Sequence, residues 1–327
     1  GRTPGARERM ILPGRRPGGE RVRVERTVPQ DHRIERPRRV RRPPSPALVL
    51  TLGFAALILV GTIVLMLPLS SAAGTWTSPV DALFTATSAV CVTGLVVHDT
   101  GTYWSGFGQA AILVMIQVGG FGFMTGSTLL LLVLAGGRTG LRDRLLVQAS
   151  FSGGDLGGVM ALLRRTAAFA LIAEGVGFAL LFVAMLLRGT DALGAAWWGL
   201  FHTVAAFNNA GFDLNGGFRS LEGFAGDTPI LAILAVLIVL GGLGVAIVDD
   251  LVGKRSWART ALETKLVVLT TAALLIGGAM VIATIEWNNP ATLGLMPPEQ
   301  RAVNAAFHSV SLRTAGFASV PIGGLGE

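Results

Sequence analysis

The stretch FTATSAVCVTGL, residues 84–95, decides how this chain folds. It is apolar, yet too short to cross a bilayer, whose hydrocarbon core of about 30 Å needs about 20 residues of helix. Two much longer apolar stretches without any charged residue flank it, residues 47–69 and 105–137. A short segment in this position must dip into a membrane and return to the side from which it came.

The composition is that of a membrane protein. Of the 327 residues, 51% are hydrophobic and only 14% are charged, and the mean hydropathy is +0.60, which excludes an ordinary soluble domain. Five stretches are long enough to span, and Glu174 is the one charged residue within them. These stretches are residues 47–69, 105–137, 166–187, 229–248 and 266–285.

The basic residues are concentrated at the start of the chain. Residues 1–46 hold 14 of the 27 Lys and Arg and are rich in Pro and Gly, so we expect a disordered tail. A polybasic segment beside a membrane helix usually marks the cytoplasmic side and contacts anionic lipid headgroups, which we favour over nucleic acid binding. The single cysteine, Cys91, excludes an internal disulfide.

The distribution of charge predicts the orientation of the spans. The linkers 138–165 and 249–265 are basic, whereas residues 70–104 contain neither Lys nor Arg. By the positive-inside rule the tail and both linkers are cytoplasmic. Each short apolar stretch then begins and ends outside, and a re-entrant segment is tolerated only where it is buried in protein or lines a water-filled path.

The short stretches are copies of one motif. FTATSAVCVTGL from Phe84, FHTVAAFNNAGF from Phe201 and FHSVSLRTAGF from Phe307 each open with Phe and close on Gly and a large apolar residue. The helices that follow the first two also agree, with QVGGFGFM at residues 117–124 and VLGGLGVAI at 239–247. The repeat predicts three helix–loop–helix units, 47–137, 166–248 and 266–327, of which the third is incomplete.

The closing glycines Gly94, Gly211 and Gly316 suggest what the motif does. A short helix that dips into a membrane directs its C-terminal carbonyl groups and the negative end of its dipole inward, which favours a cation. A chain that returns with its carbonyl oxygens facing a pore needs positive φ, which glycine accepts freely. Such carbonyl rings form the filters of potassium channels. The alternative for any single copy is an ordinary helix C-cap.

The runs FTATSAVCVTGL, IQVGGFGFMT, FNNAGFD and RTAGF resemble the Trk/Ktr/HKT superfamily of potassium transporters, and most closely the membrane subunit of the Ktr type. The resemblance implies an all-α membrane protein with a potassium-channel-like pore made of four helix–pore loop–helix units. About two and a half units are present, because the chain stops about ten residues after Gly316. We therefore expect a fragment of a longer protein, or else a natural short form that pairs with another polypeptide.

The resemblance also implies a function. We expect a transporter, not an enzyme, that takes up potassium across the plasma membrane, often with sodium dependence, and that has no covalently bound cofactor. It implies a homodimer, a cytoplasmic nucleotide-binding subunit of the RCK type and a cytoplasmic N-terminus. The implied filter residues, which would hold potassium, are Val92, Thr93, Gly94, Leu95, Asn209, Ala210, Gly211, Phe212, Thr314, Ala315, Gly316 and Phe317.

Two residues are assigned as supports of the filter, Asn208 and Arg313. Arg313 precedes its filter glycine by three residues, and a cation directed into a cation pore would repel the ion. We therefore expect Arg313 to point behind the filter and to brace it through hydrogen bonds.

The remaining polar residues allow alternatives. Glu174, deep in its span, is either a functional carboxylate or, as we favour, a structural one hydrogen-bonded to a neighbouring unit. His202 and His308 share one repeat position, where helix packing is favoured over a metal site. Asp249 and Asp250 are interpreted as a solvated helix end or inner vestibule charge.

Two other classes of membrane protein are alternatives to this interpretation. A secondary carrier would use Glu174 as its coupling carboxylate, but carriers usually hold several carboxylates at the midplane. A membrane-embedded metallohydrolase would need a ligand set such as HExxH, which the sequence lacks. It also contains nothing that resembles a nucleotide-binding loop, so any dependence on ATP belongs to a separate subunit.

Overall fold

The computed structural model describes residues 46–135, 156–254 and 256–326, and no β-strand occurs in these ranges. The chain is therefore helical there, as predicted. The basic tail, apart from Pro46, and residues 138–155 of the first linker lie outside the described residues. The helices are α1 (Pro46–Met66), α2 (Pro79–Val90), α3 (Thr100–Tyr103), α4 (Gly106–Ala135), α5 (Leu156–Leu187), α6 (Ala192–Phe207), α7 (Thr228–Leu243), α8 (Val245–Lys254), α9 (Leu262–Glu286) and α10 (Pro298–Thr314).

The three short apolar stretches form the short helices α2, α6 and α10, which we call the pore helices. They have 12, 16 and 17 residues, so at 1.5 Å per residue none reaches the roughly 30 Å of a bilayer core. Pro79 and Pro298 begin α2 and α10, where a missing N–H costs nothing. Asp191 caps α6, because its carboxylate accepts a hydrogen bond from the Gly194 N–H at 2.9 Å.

The chain returns after each pore helix to the level at which it entered. Around α10, the Asn289 side chain before the helix donates to the Gly324 carbonyl after it at 2.7 Å. Around α2, the N–H of Ala72 donates to the carbonyl of Tyr103 at 2.8 Å. Around α6, the end of α5 and the start of α7 meet through an ion pair between Arg188 and Asp227. All three short stretches are therefore re-entrant in shape.

The long helices differ from the predicted spans in four places. Helix α1 ends at Met66, three residues before the predicted end of the first span. Helix α5 begins at Leu156, inside the predicted linker, because the apolar run before Arg164 continues the helix. Helix α9 begins at Leu262, four residues before the predicted span. The predicted span 229–248 is wrong as a single helix, since α7 ends at Leu243 and α8 turns by 94°. The break lies at Gly244, whose φ of 76° and ψ of 159° favour glycine.

Length and composition identify two described helices that can cross a membrane alone, over residues 164–187 and 262–286. The bent pair α7 and α8 is a third if it counts as one span. The described apolar parts of the first two predicted spans, residues 51–66 and 106–122, are shorter. The fold is thus that of a helical membrane protein built from repeated pore-helix units.

Candidate functional site

The loops that follow the three pore helices converge. Gly94, Gly211 and Gly316 have φ values of 78°, 71° and 80°, as expected for residues that turn an extended chain inward. A Cβ atom on Gly94 would lie closer than 3.0 Å to the carbonyl oxygen of Ala210, and one on Gly211 equally close to that of Ala315. The three loops therefore contact one another in chain order, first to second and second to third.

We call residues 92–95, 209–212 and 314–317 the filter segments. The first two have the same backbone, because Val92 and Asn209 also have positive φ, 56° and 59°. A non-glycine residue in this conformation costs roughly 1–2 kcal/mol. The third segment differs, since Thr314 is still part of α10. The third copy of the motif is one residue shorter, and the structure accommodates this by extending the helix.

The second filter segment is tied to its neighbours by the side chain of Asn209. Its Oδ1 accepts a hydrogen bond from the Thr314 hydroxyl at 2.7 Å, which links the second and third segments. Its Nδ2 donates to the carbonyl oxygens of Phe207 and Ile238, each at 3.2 Å. One carboxamide therefore joins the pore loop, the next loop and α7.

The apolar side chains of the second and third segments point into the protein. Ala210, Phe212, Ala315 and Phe317 are all buried. In the first segment Leu95 remains 59% exposed, unlike the residues at its repeat position. Where the side chains are buried, the exposed groups of the loop are main-chain atoms.

A cavity of about 330 Å³ lies against the filter segments on the side reached by the returning chain. All three glycines line it, together with three acidic residues that the sequence analysis did not select, Asp99, Asp213 and Glu222. The sequence signal for two of them was their distance from a filter glycine, five residues for Asp99 and two for Asp213. Acidic groups around such a cavity raise the local concentration of cations.

Asp213 has an unusual environment in this cavity. Burial raises its pKa to about 6, the hydrogen bond from the Asn215 N–H acts in the opposite direction, and the nearby charge of Asp99 adds to the rise. Asp99 itself accepts hydrogen bonds from the backbone N–H groups of Gly217 and Phe218. It therefore joins the first loop to the part of the second loop that follows its filter segment.

The paired glycines of α4 and α7 hold the pore loops from behind. A Cβ on Gly119 would overlap the carbonyl oxygen of Val90 at the end of α2, and one on Gly241 that of Phe207 at the end of α6. The first glycine of each pair thus lets the outgoing helix touch its own pore helix. The matching QVGGFG and VLGGLG runs are explained by this close approach.

The second glycine of each pair faces the loop of the next unit. A Cβ on Gly120 would overlap Oδ1 of Asn208, and one on Gly242 would lie 2.8 Å from Nη2 of Arg313. Asn208 and Arg313 occupy the same repeat position, three residues before the filter glycine. The two residues assigned as supports therefore have equivalent places behind the loops.

The side chains of Asn208 and Arg313 differ in their hydrogen bonds. Asn208 Nδ2 lies 3.0 Å from Gln117 Oε1 and 3.3 Å from Glu174 Oε1, and Gln117 Nε2 donates to Glu174 Oε2 at 3.0 Å. The favoured interpretation of Glu174, a carboxylate hydrogen-bonded to a neighbouring unit, matches this geometry. Arg313 does not match in full: within the described part of the chain its Nη1 is buried without a hydrogen-bond partner.

The two histidines of the repeat lie in the packed core. His202 Nδ1 lies 2.8 Å from the Trp198 carbonyl, and its ring stacks on the Trp198 ring with centroids 3.8 Å apart. His308 is also buried. No group of three or more possible metal ligands occurs among the described residues, so the packing interpretation fits both.

The pair Asp249 and Asp250 lies in α8. Asp250 forms an ion pair with Lys254 at 2.5 Å and accepts a hydrogen bond from the Ala261 N–H at 2.8 Å. Asp249 is exposed. Asp250 thus holds the connection between α8 and α9, and the interpretation of Asp249 as a solvated charge fits.

Comparison with known proteins gives a consistent result. Residues 41–326 match the family model described as TrkH, cation transport protein. The chain is 36% identical over 286 residues to Ktr system potassium uptake protein B of Bacillus subtilis, covering 86% of this chain and 62% of that protein. It is 35% identical over 283 residues to the potassium/sodium uptake protein NtpJ of Enterococcus hirae, with the same coverage of 86% and 62%.

The fold is also found among solved structures. The crystal structure of the potassium transporter TrkH from Vibrio parahaemolyticus matches with a TM-score of 0.57 at 17% identity, over 88% of this chain and 54% of that one. The resemblance inferred from the four sequence runs is thus confirmed. The chain spans about three fifths of the length of the curated relatives named above.

Proposed function

Because the chain belongs to the TrkH family of cation transport proteins, we propose that its three filter segments form most of a potassium pathway into the cell. One observation carries the proposal: the filter glycines Gly94 and Gly211 each lie against the main chain of the next loop, and all three glycines line one cavity. The proposed pathway runs along the line on which these three loops converge. In this proposal, the carbonyl oxygens of the three loops replace the water around a desolvated cation. The C-terminal ends of the pore helices add negative potential there.

In this pathway a cation first enters the cavity lined by the three acidic residues, which we call the outer cavity, and then passes the filter segments. Asp99, Asp213 and Glu222 attract a hydrated cation from outside, and the backbone of the three segments then takes over its coordination. The buried side chains of Phe212 and Phe317 hold the segments at a fixed width. Potassium is the proposed ion, and sodium is proposed as a second ion that influences uptake.

The proposal is tested by rescue of potassium-starved cells with the complete gene product. Gly94→Asp should abolish growth at low potassium, because its side chain would overlap the Ala210 carbonyl and occupy the pathway. Gly74→Asp is the matched control, since Gly74 has a similar φ of 66° but no atom within 4 Å of its Cβ position. Full growth of the Gly94 variant would overturn the proposal.

A secondary carrier with Glu174 as coupling carboxylate is the second candidate. Against it, Glu174 is 7% exposed and both of its oxygens accept hydrogen bonds from protein side chains. It does not line the outer cavity. A carboxylate in this position, among the described residues, does not face the cavity through which the proposed ion enters.

We further propose that each unit, 47–137, 166–248 and 266–327, contributes one segment to the pore, and that the protein lies in the plasma membrane with its N-terminus and both linkers inside. A homodimer with a cytoplasmic nucleotide-binding subunit is the proposed assembly. The relative from Bacillus subtilis is named as a component of a Ktr system, which supports a partner. Co-purification of the complete gene product with such a subunit would test it.

A further inference from the structure

Three side chains from three elements form a closed hydrogen-bonded triangle behind the second filter segment. Gln117 comes from α4, Glu174 from α5 and Asn208 from the end of α6, and each bonds to both of the others at 3.0–3.3 Å. The triangle therefore crosses the boundary between the first and second units. Gly120 gives it room, because a Cβ there would overlap Oδ1 of Asn208.

We propose that Glu174 is a positioning residue for ion selection: through Asn208 it fixes the second filter segment against the first. This inference rests on the proposed function of the loops. Asn208 is joined covalently to Asn209 and Ala210, and the Ala210 carbonyl is the group that Gly94 touches. Asn208 precedes Ala210 by only two residues. A displacement of Asn208 would therefore move the contact between the two segments.

The chemistry of the triangle makes Glu174 its centre. A carboxylate buried in a membrane helix is costly unless donors satisfy it, and here Asn208 and Gln117 supply one donor to each oxygen. Asn208 Nδ2 also lies 3.0 Å from the Val204 carbonyl, which is one turn back in its own helix. Without Glu174, Gln117 would lose the acceptor that orients its amide group, and the bond from Asn208 to Gln117 would have to compete alone with this local bond.

The next boundary lacks the same device. The repeat position of Gln117 is occupied by Val239, and that of Asn208 by Arg313. Arg313 lies against Gly242, but its Nη1 has no hydrogen-bond partner among the described residues. Among the described residues, the triangle is therefore particular to the boundary between the first and second units.

The test measures ion selectivity of the purified complete gene product in liposomes, as rubidium uptake with and without competing sodium. Glu174→Ala should lower the preference for rubidium over sodium roughly tenfold, the order expected from loss of a buried hydrogen bond to a charged group. Glu174→Gln keeps one acceptor oxygen and should fall between this variant and the wild type. Gln117→Ala, at a half-buried position, supplies a second measurement if Glu174→Ala does not fold.

The control is Glu286→Gln. Glu286 is also a buried carboxylate, and it accepts hydrogen bonds from Thr292, Asn289 and Gly326, but it lies outside the filter segments. This variant should change thermal stability and leave the ion preference unchanged. If weakened packing alone changed the ion preference, Glu174→Ala and Glu286→Gln would both show the change. That result would overturn the inference.

A double-mutant cycle tests the route through Asn208. If Glu174 acts through that residue, adding Glu174→Ala to Asn208→Ala should cause no further loss of preference. Additive losses, or an unchanged preference in Glu174→Ala, would contradict the inference. Failure of the proposed function is a different result, since the wild type itself would then show no selective uptake and Gly94→Asp would have no effect.

Discussion

The contact between Asn209 and Thr314 joins two filter segments through one side-chain hydrogen bond of 2.7 Å. The conformation of Asn209 is itself unusual, with φ of 59°, and asparagine accepts this region more readily than most residues. The rest of its carboxamide is held by two carbonyl groups. The Oδ1 atom of Asn209, which accepts the hydrogen bond, is therefore held in place. The bond can be removed by changing Thr314 alone.

Thr314→Val removes this hydroxyl without changing the shape of the side chain. We expect the free energy of unfolding to fall by about 0.5–1.5 kcal/mol, the usual net value of such a bond, and the preference for potassium over sodium to decrease. Thermal unfolding in detergent and competitive flux measure the two effects. Thr284→Val is the control, because among the described residues that exposed hydroxyl donates to the Val281 carbonyl of its own helix and to no filter segment. Equal selectivity in both variants would contradict the role given to Thr314.

The raised pKa of Asp213 predicts a dependence of uptake on external pH. Its carboxyl group is ionised above a pH of about 6 and neutral below it, so acidification removes one negative charge from the outer cavity. Uptake at limiting potassium should fall by about fivefold, since a charge at this range is worth on the order of 1 kcal/mol. Wild-type uptake is measured between pH 7.5 and 5.

Asp213→Asn should give low uptake at every pH and no step near 6. Asp191→Asn is the control, because Asp191 is an exposed helix cap and asparagine caps equally well. A step near pH 6 that persists in the Asp213 variant would assign the titration to another group.

The glycines of the filter could be predicted from the sequence, but their neighbours could not. Positive φ is a local property, so Gly94, Gly211 and Gly316 could be selected one copy at a time. Partners across unit boundaries depend on packing that no single copy encodes. Asn208 was thus identified without its bonds to Gln117 and Glu174, and the hydrogen-bonded brace expected of Arg313 is not made by Nη1.

Among the elements, helices α4 and α7, which follow the first two pore loops, pack closely against the ends of their own pore helices. Gly119 and Gly241 each lie against the last carbonyl groups of their own pore helix. The sequence shows the repeated pair of glycines, and the structure gives its reason. A helix with any larger residue here must move away from the pore helix, and the filter segment would lose its support.

Gly119→Ala and Gly241→Ala should therefore destabilise the protein by about 1–3 kcal/mol and reduce potassium uptake, because the added methyl group overlaps a backbone oxygen that cannot rotate away. Gly175→Ala is the control, since it lies in α5 with nothing within 4 Å of its Cβ position. That variant should be neutral or gain up to about 1 kcal/mol from the better helix former. Similar unfolding temperatures for Gly119→Ala and Gly175→Ala would refute the close-approach argument.

The break between α7 and α8 shows why element boundaries were harder to predict. Hydropathy is continuous across residues 229–248, so the pattern predicts one span. The 94° turn arises from the backbone of Gly244, which adopts a conformation open almost only to glycine. Glycine also occurs inside continuous helices in this chain, for example Gly175 in α5, so its presence alone predicts no break.

At the scale of the whole molecule, the arrangement of units followed from counting. Three short apolar stretches alternate with long ones, and most Lys and Arg residues lie in the tail and the two linkers, so the sequence predicts that each short stretch begins and ends on the same side of the membrane. The structure adds contacts between the residues before and after each re-entrant segment. Near α10, Leu293 before the helix and Val320 after it belong to one apolar cluster, which Leu325 also contacts.

The arrangement in which both ends of a short stretch face the same side of the membrane makes a final prediction about α10. If α10 is re-entrant, Leu295 before it and Ile322 after it face the same side, and if it spans they face opposite sides. Both residues are well exposed, 83% and 63%, so cysteines placed there should react readily. With Cys91 changed to Ser, Leu295→Cys and Ile322→Cys should both be labelled from outside intact cells by an impermeant maleimide. Ala258→Cys, in the exposed connection before α9, should react only after permeabilisation, and labelling of Leu295 and Ile322 from opposite sides would disprove the re-entrant pore helix.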